Sequence, residues 1–185
     1  MTPDVSRADR PRPGSARFRD VVAASTALAI LRVLSSYSWL NGALVGKDAK
    51  FNPEFLDGSG LAMRILDPLK GFAHTALTEG VSHFLTNTVV PHAAVFAWLI
   101  ALGELCVGVS LLLGLFTRVG GFFAIVQAVT NILVAGGNGA DTIGHNYMLA
   151  LVGLVVLLSA AGRTYGLDGL LIARFPNSRF LRFIC

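Results

Sequence analysis

Charged residues are scarce in this sequence. Only 14% of its 185 residues are Asp, Glu, Lys or Arg, whereas 54% are hydrophobic. A soluble domain carries about 25% charged residues, so the composition excludes an ordinary water-soluble domain and predicts an integral membrane protein. The basic residues behind the net charge of +4 flank the apolar stretches. Membrane topology explains that placement better than a partner nucleic acid does, and we predict no nucleic-acid binding.

Cysteine is also scarce. Cys106 lies inside an apolar stretch and Cys185 is the last residue, so we expect two free thiols at different depths rather than a disulfide. Neither has a CxxC or CxxCH context, and the sequence carries no haem, flavin or iron–sulfur motif. Three histidines, at positions 74, 83 and 92, are spaced by nine residues rather than by the three or four typical of paired ligands on one helix face. We therefore predict no metal site.

Four apolar stretches are long enough to cross a bilayer, which takes about 20 residues. The predicted fold is all-α and integral to the membrane: an antiparallel four-helix transmembrane bundle with short interfacial helices in its long first loop. The spans are expected at about 21–44, 93–116, 120–135 and 145–162, with an external loop over 45–92. They form a membrane domain over 21–162 between a disordered basic cytoplasmic tail, 1–20, and a cytoplasmic basic tail, 163–185.

The orientation follows from the positive-inside rule. Five arginines lie in the N-terminal tail, one, Arg118, in the short second loop and four in the C-terminal tail, whereas the third loop has no Lys or Arg. This pattern predicts a multi-pass protein of the cell membrane with both termini in the cytoplasm. A cleaved signal peptide is the alternative for the first stretch, but its apolar run continues past Leu31, which favours a retained helix.

Two ionisable residues lie inside the apolar stretches. Arg32 and Glu104 each lie about 16 Å from the start of their stretch at about 1.5 Å per residue. If the first two spans are antiparallel, both groups fall near the midplane. A charge at membrane depth normally finds a partner in the bundle, so we expect Arg32 and Glu104 to be in contact.

Further polar and small residues accompany this pair. Gln127 and Asn131 share the small-residue face of the third span at a similar depth, while Trp39 and Lys47 approach the outer interface, as anchors or as part of a site. The turn after the third span brings Asp141 and His145 to the membrane surface. The second span carries Ala97, Ala101, Glu104 and Gly108 on one face, which predicts close helix packing there.

Three segments in order resemble the DoxX/DoxD family of small four-helix bacterial membrane proteins. They are Arg32 with Trp39, Gly42 and Lys47; GELCVGVSLLLGLFTR, residues 103–118; and GRTYGLDGLL, residues 162–171. The long first loop and the GADTIGHN turn are most similar to DoxD, the small subunit of thiosulfate:quinone oxidoreductase. That resemblance implies oxidation of thiosulfate to tetrathionate, with membrane quinone as the electron-accepting substrate and a second subunit as partner.

Two functions follow as hypotheses. In the first, the chain is a membrane subunit of an oxidoreductase that passes electrons from a reduced sulfur compound to quinone. Arg32 and Glu104 would be catalytic; the quinone or substrate would contact Trp39, Lys47, Gln127, Asn131, Asp141 and His145. In the second, the chain is a non-catalytic scaffold for soluble thiol or oxidant-defence enzymes, and the buried charges only lock helices. Membrane lipid and either a second subunit or further copies of the chain are the expected partners. A channel or transporter is the third class, but the interrupted half-helices that would favour it are absent from the sequence.

Overall fold

The structure is a computed structural model that describes residues 13–45 and 49–185, with side chains from residue 21 onward. Every regular element in these ranges is a helix, which confirms the all-α prediction. The α-helices are listed in chain order: α1 Pro13–Leu44, α2 Pro53–Leu56, α3 Ser59–Leu66, α4 Phe72–Thr75, α5 Glu79–Phe84, α6 Ala93–Leu113, α7 Thr117–Ala135, α8 Ala140–Ser159, α9 Leu167–Arg174 and α10 Arg179–Ile184.

Four of these helical stretches are long and apolar enough to cross a membrane, as the sequence predicts. They are Val21–Leu44, Glu79–Leu113, Thr117–Asn138 and Ala140–Ser159. The second includes α5, a π-helical turn over Leu85–Val89 and a short 3₁₀ turn, and then α6. Large apolar side chains such as Leu34, Leu99 and Phe122 are exposed along the spans, as expected of helices that face lipid rather than water.

The helix boundaries differ from the prediction at two turns. Helix α6 ends at Leu113 and is capped by Gly114, whose left-handed φ of 66° requires glycine or strain. Helix α7 begins shortly afterwards, at Thr117. Helix α8 begins at Ala140, so residues 140–146, expected to form a surface turn, are its first two turns. Sequence periodicity missed this start because Gly, Asp and Thr are poor helix formers.

Small residues set the distance between the long helices. A Cβ at Gly121 of α7 would stand 2.7 Å from the carbonyl oxygen of Gly153 in α8, and a Cβ at Gly108 of α6 would stand 2.7 Å from Leu40 of α1. Ala97 and Ala101 are fully buried on the same face of α6. The close packing predicted for this face is present, because glycine and alanine let the helix backbones approach.

Trp39 lies in the core of the bundle rather than at an interface. Its side chain is 3% exposed and packs with Val107, Leu111, Ala124, Ala128 and Val156. The interpretation of Trp39 as an interfacial anchor is therefore wrong. An indole at this position contributes apolar contact area between four long helices.

The segment between α1 and α6 has a core of its own. Phe55, Leu61, Ile65, Leu85 and Val89 form a buried cluster that also takes in Ala97 of α6. Gly58 packs against the backbone of Ala93 and Ala94 at the start of α6. The long loop is thus a folded cap on one end of the bundle, called the loop end below.

The opposite end of the bundle is called the basic end. It is defined by the turn between α6 and α7 and by the residues after α8, and it carries Arg118, Arg163, Arg174, Arg179 and Arg182. Asp168 is the one acid in these two segments, 114–120 and 160–185. Positive charge is therefore concentrated at this end of the bundle, whereas charged residues are scarce in the apolar spans.

The register of α1 against α6 is visible in two close approaches. Gly42 lies beside the carboxylate of Glu104, whereas the guanidinium of Arg32 lies against Gly114. Arg32 and Glu104 are therefore separated along α1 by ten residue positions, from 32 to 42, or about 15 Å. The predicted equal depth of the two residues is wrong, because α1 begins well before the level at which α6 ends.

Candidate functional site: a lysine–glutamate pair

Glu104 forms an ion pair with Lys50. The Lys50 Nζ lies 2.8 Å from Glu104 Oε2, and the two side chains are 20% and 7% exposed. The expected contact between Arg32 and Glu104 is thus wrong: Lys50, from the segment that follows α1, is the partner. A buried carboxylate in an apolar span requires such a partner, since an isolated charge there costs several kcal/mol.

The backbone holds Lys50 in place over the end of α1. Its N–H donates to the carbonyl oxygens of Ala43, at 3.1 Å, and Gly42, at 3.3 Å. The next residue, Phe51, packs edge-to-face on Trp98 of α6 with 6.3 Å between ring centroids. Asn52 then caps α2 by accepting a hydrogen bond from the N–H of Phe55. Contacts of three consecutive residues, 50–52, hold the lysine in place, so its position does not depend on the charge of Glu104 alone.

Gly42 and Arg64 complete the surroundings of the carboxylate. A Cβ at Gly42 would stand 2.8 Å from Glu104 Oε2, so a larger residue there would displace the carboxylate. Its carbonyl oxygen accepts from Lys50 Nζ at 3.4 Å. The guanidinium of Arg64 stacks over Phe55 at 5.8 Å and is close enough to act electrostatically on Glu104. The carboxylate therefore faces two cations on its loop side.

Gln127 lies one helix away from this pair. Its Nε2 donates to the carbonyl oxygen of Ile100 at 3.4 Å, and its Oε1 faces Gly103, the residue before Glu104. Asn131 is half-buried one turn further along α7. The structure thus brings Gln127 to the level of Glu104, as predicted, where it links α6 and α7.

The remaining predicted site residues are not part of the pair. Asp141 and His145 are exposed on the first turns of α8. Lys47 lies outside the described residues. Arg32 belongs to a different cluster at the basic end. Lys50 is a candidate site residue that the sequence interpretation missed. The signal that could have identified it is its position shortly after the apolar run that ends at Leu44.

The basic-end cluster is built around Asp168. Its Oδ1 accepts from the N–H of Phe116 at 2.6 Å, and its Oδ2 accepts from the N–H and the hydroxyl of Thr117 at 3.0 and 2.6 Å. The N–H of Asp168 donates in turn to the carbonyl oxygen of Gly114 at 2.8 Å. A fully buried carboxylate thus satisfies the free N–H groups at the start of α7, where the helix dipole also favours negative charge.

Arg32 packs against the same turn. It is 1% exposed, and its Nη2 donates to the carbonyl oxygen of Tyr165 at 3.1 Å. Its Nη1 fills the space that a Cβ at Gly114 would occupy. Arg32 and Asp168 thus join α1, the α6–α7 turn and the segment after α8, which are the three segments that carry the family resemblance.

Cys185 closes this cluster from the C-terminal side. The thiol is fully buried. Burial, and then the neighbouring carboxylate of Asp168, raise the pKa of Cys185 to about 11. The thiol is therefore protonated at neutral pH and a poor nucleophile. Cys106, by contrast, is exposed on α6.

Within the described residues, no group of three or more His, Cys, Asp or Glu side chains is arranged to hold a metal ion. The chemistry available at the lysine–glutamate pair is acid–base chemistry. The carboxylate of Glu104 can accept a proton and the ammonium of Lys50 can donate one, and Arg64 adds a second positive charge near the carboxylate.

Fold and site together define a small helical multi-pass membrane protein with an ion pair buried beside its second long helix. The family model described as "TQO small subunit DoxD" matches residues 30–184, and the chain belongs to this DoxD family. The resemblance predicted from the three sequence segments is confirmed. No curated protein and no solved structure matches the chain.

Proposed function

We propose that the chain is the membrane subunit of a thiosulfate:quinone oxidoreductase. Membership of the DoxD family supports this reaction class. The observation that points to particular residues is the contact between Lys50 and Glu104, an ionisable carboxyl group paired with a cation inside an apolar helix bundle. Ionisable residues in such positions are retained for a function more often than for stability.

The proposed reaction balances two half-reactions. Two thiosulfate ions join through a new sulfur–sulfur bond to give tetrathionate and release two electrons. Quinone takes up those two electrons and two protons to give quinol. Electrons pass directly between the substrates or through the second subunit, and this chain supplies binding groups and protons.

Glu104 is the proposed proton donor to the reduced quinone, and Lys50 replenishes its proton from the loop side. The quinone headgroup would lie beside Trp39, Gln127 and Asn131, where amide groups offer hydrogen bonds in an apolar setting. Lys50 and Arg64 would attract the thiosulfate dianion. Lys47, Asp141 and His145 stay predicted contacts of the substrate or of the second subunit.

The test compares Glu104→Gln with wild type in membranes, following thiosulfate-dependent quinone reduction at equal amounts of folded protein. The amide preserves shape but cannot carry a proton, so we expect turnover to fall by about 10²-fold or more. Glu79→Gln is the matched control because Glu79 is exposed. Unchanged turnover in Glu104→Gln would remove this carboxylate from the mechanism.

A scaffold function is the second proposal. It is favoured by the way the three family-bearing segments meet in a purely structural cluster around Asp168. In the scaffold, soluble thiol or oxidant-defence enzymes would bind the chain and perform the chemistry. Wild-type membranes with no thiosulfate-dependent activity, together with copurifying soluble enzymes of that class, would support this proposal over the first.

For the topology, we propose an antiparallel bundle in the cell membrane with the basic end and both termini in the cytoplasm. The short helices of the loop would then lie at the outer surface. The charge distribution supports this orientation. Cys185 cannot report on it, since its thiol is buried.

Asn138→Cys and Asn177→Cys, each in a chain without the native cysteines, are suitable probes. Only the first should react with an impermeant maleimide added to intact cells. The reverse pattern would contradict the proposed orientation.

A further inference from the structure

A groove of about 430 Å³ lies between α7, α8 and α10 at the basic end. Its lining combines the side chain of Arg118 with apolar side chains from all three helices, among them Val119, Phe122, Leu157, Leu158 and Phe183. Leu158 and Phe183 are 70% and 76% exposed. The groove therefore opens on the outside of the bundle, where a ligand can enter it.

The guanidinium of Arg118 has no partner among the residues that the structure describes. Its Nε is buried without a hydrogen-bond acceptor, whereas its two Nη nitrogens are neither buried nor bonded. No carboxylate of these residues forms an ion pair with it. The acid at this end, Asp168, uses both carboxylate oxygens on Phe116 and Thr117. The Nη groups of Arg118 are therefore free to bind an acceptor that enters the groove.

The groove lies at the level where membrane lipids carry their headgroups. Arg118 is the second residue of the span Thr117–Asn138, and Leu158 is the last but one of the span Ala140–Ser159. The ends of a span lie at the edge of the hydrocarbon core. Phe122 is one turn further into its span than Arg118. A cation at this position thus meets headgroups, while the apolar side chains beyond it meet acyl chains.

Charge and shape together specify an anionic amphiphile. Arg118 is the one ionisable side chain of the groove lining. Arg182 directly precedes Phe183 in α10, and Arg163 donates to the Arg182 carbonyl oxygen at 2.9 Å. This positive region favours an anion over a neutral ligand. Because the rest of the lining is apolar, the anion should carry a hydrocarbon chain.

We propose that this groove binds one anionic glycerophospholipid. Its phosphate accepts hydrogen bonds from Nη1 and Nη2 of Arg118, since a guanidinium presents two parallel donors to a phosphate. The upper part of an acyl chain packs on Phe122, Leu158 and Phe183. The groove volume is within the range of ligand sites. The lipid holds α10 against α7 and α8, and its binding is independent of the quinone reaction.

Native mass spectrometry of the purified protein in dodecyl maltoside tests this proposal, with phosphatidylglycerol and phosphatidylcholine as probes. Wild type should retain phosphatidylglycerol in preference to phosphatidylcholine, because only the first has a net negative charge. Arg118→Gln removes the cation and Val119→Trp fills the groove. Each should weaken phosphatidylglycerol binding by about tenfold or more, since a charge-assisted hydrogen bond or the space for the chain is lost.

Each variant has a matched control. Arg174→Gln removes the same charge at an exposed site of α9. Val129→Trp makes the same substitution at an exposed position of α7, about 15 Å along the helix from Val119. Neither Arg174 nor Val129 lines the groove. Both controls should therefore bind lipid like wild type.

Three results would overturn the proposal. They are equal retention of the two lipids by wild type, unchanged phosphatidylglycerol binding in Arg118→Gln or Val119→Trp, and a loss in Arg174→Gln as large as in Arg118→Gln. Should Arg118→Gln fail to fold, the comparison of Val119→Trp with Val129→Trp decides, because both variants retain the guanidinium.

Discussion

Replacing Lys50 by Met and Glu104 by Gln, singly and together, measures whether the two side chains are energetically coupled. The ion pair has 2.8 Å between its charged atoms, with Glu104 nearly buried and Lys50 one-fifth exposed. Exposed pairs contribute about 0–1 kcal/mol, whereas breaking a buried pair costs about 3–5 kcal/mol. The Lys50–Glu104 pair lies between these two cases: Glu104 is close to the buried limit, whereas Lys50 is partly exposed.

The two single variants should differ in cost. Lys50→Met leaves a carboxylate buried in an apolar span, and we expect a loss of about 3 kcal/mol. Glu104→Gln leaves the Lys50 ammonium, which reaches solvent, so we expect a smaller loss of stability, about 2 kcal/mol. In the double variant neither charge is stranded, and the coupling energy should be about 2 kcal/mol. Equilibrium unfolding in mixed SDS–dodecyl maltoside micelles measures all four species.

Arg32 provides the control cycle. The ten residue positions from Arg32 to Gly42 place Arg32 about 15 Å from the level of Glu104. Arg32→Leu and Glu104→Gln should therefore add to within about 0.5 kcal/mol. Coupling of about 2 kcal/mol between Arg32 and Glu104, and none between Lys50 and Glu104, would refute the register of α1 described above.

Three further outcomes are expected. Gly114→Ala should destabilise the protein by more than about 1 kcal/mol from the positive φ alone, and its Cβ would in addition overlap Arg32. The control Gly80→Ala, where a Cβ meets open space, should be neutral or mildly stabilising. Stability should fall as pH rises from about 9 through about 11, because the native state holds the Cys185 proton more tightly than the unfolded chain does, and Cys185→Ala should remove that part of the slope in pH-dependent unfolding. Iodoacetamide at pH 8 should modify Cys185 only after unfolding, as read by intact-mass measurement.

The features that the sequence predicted are local ones. Span number and helical class follow from the length and composition of each apolar run, which is set by bilayer thickness. The packed face of α6 follows from the spacing of Ala97, Ala101 and Gly108 within a single helix. None of these depends on how one segment lies against another.

The features that the sequence did not predict depend on the register between segments, that is, on which residues of two segments lie side by side. Counting depth from Val21 assumes that α1 enters the membrane where α6 leaves it, but α1 begins at Pro13 and passes Gly114 at Arg32. Lys50 meets Glu104 because the chain reverses after Leu44 and bonds back to Ala43. Nothing in the composition of residues 45–52 specifies that reversal.

The cluster around Asp168 and the lysine–glutamate pair can be told apart by measuring stability and turnover separately. Asp168→Asn puts an amide NH₂ against the N–H groups of α7, so a cap and a charge-assisted hydrogen bond are lost together. We expect about 3 kcal/mol of destabilisation and less folded protein, but normal turnover per folded molecule, since Asp168 lies with Arg32 at the basic end. Glu104→Gln should show the opposite: less destabilisation but a large loss of thiosulfate-dependent quinone reduction. Both quantities come from one membrane preparation, with folded protein quantified by fluorescence-detected gel filtration. If Asp168→Asn lowered turnover per folded molecule as much as Glu104→Gln does, the reaction would involve the basic end, and the lysine–glutamate pair would not be its distinct site.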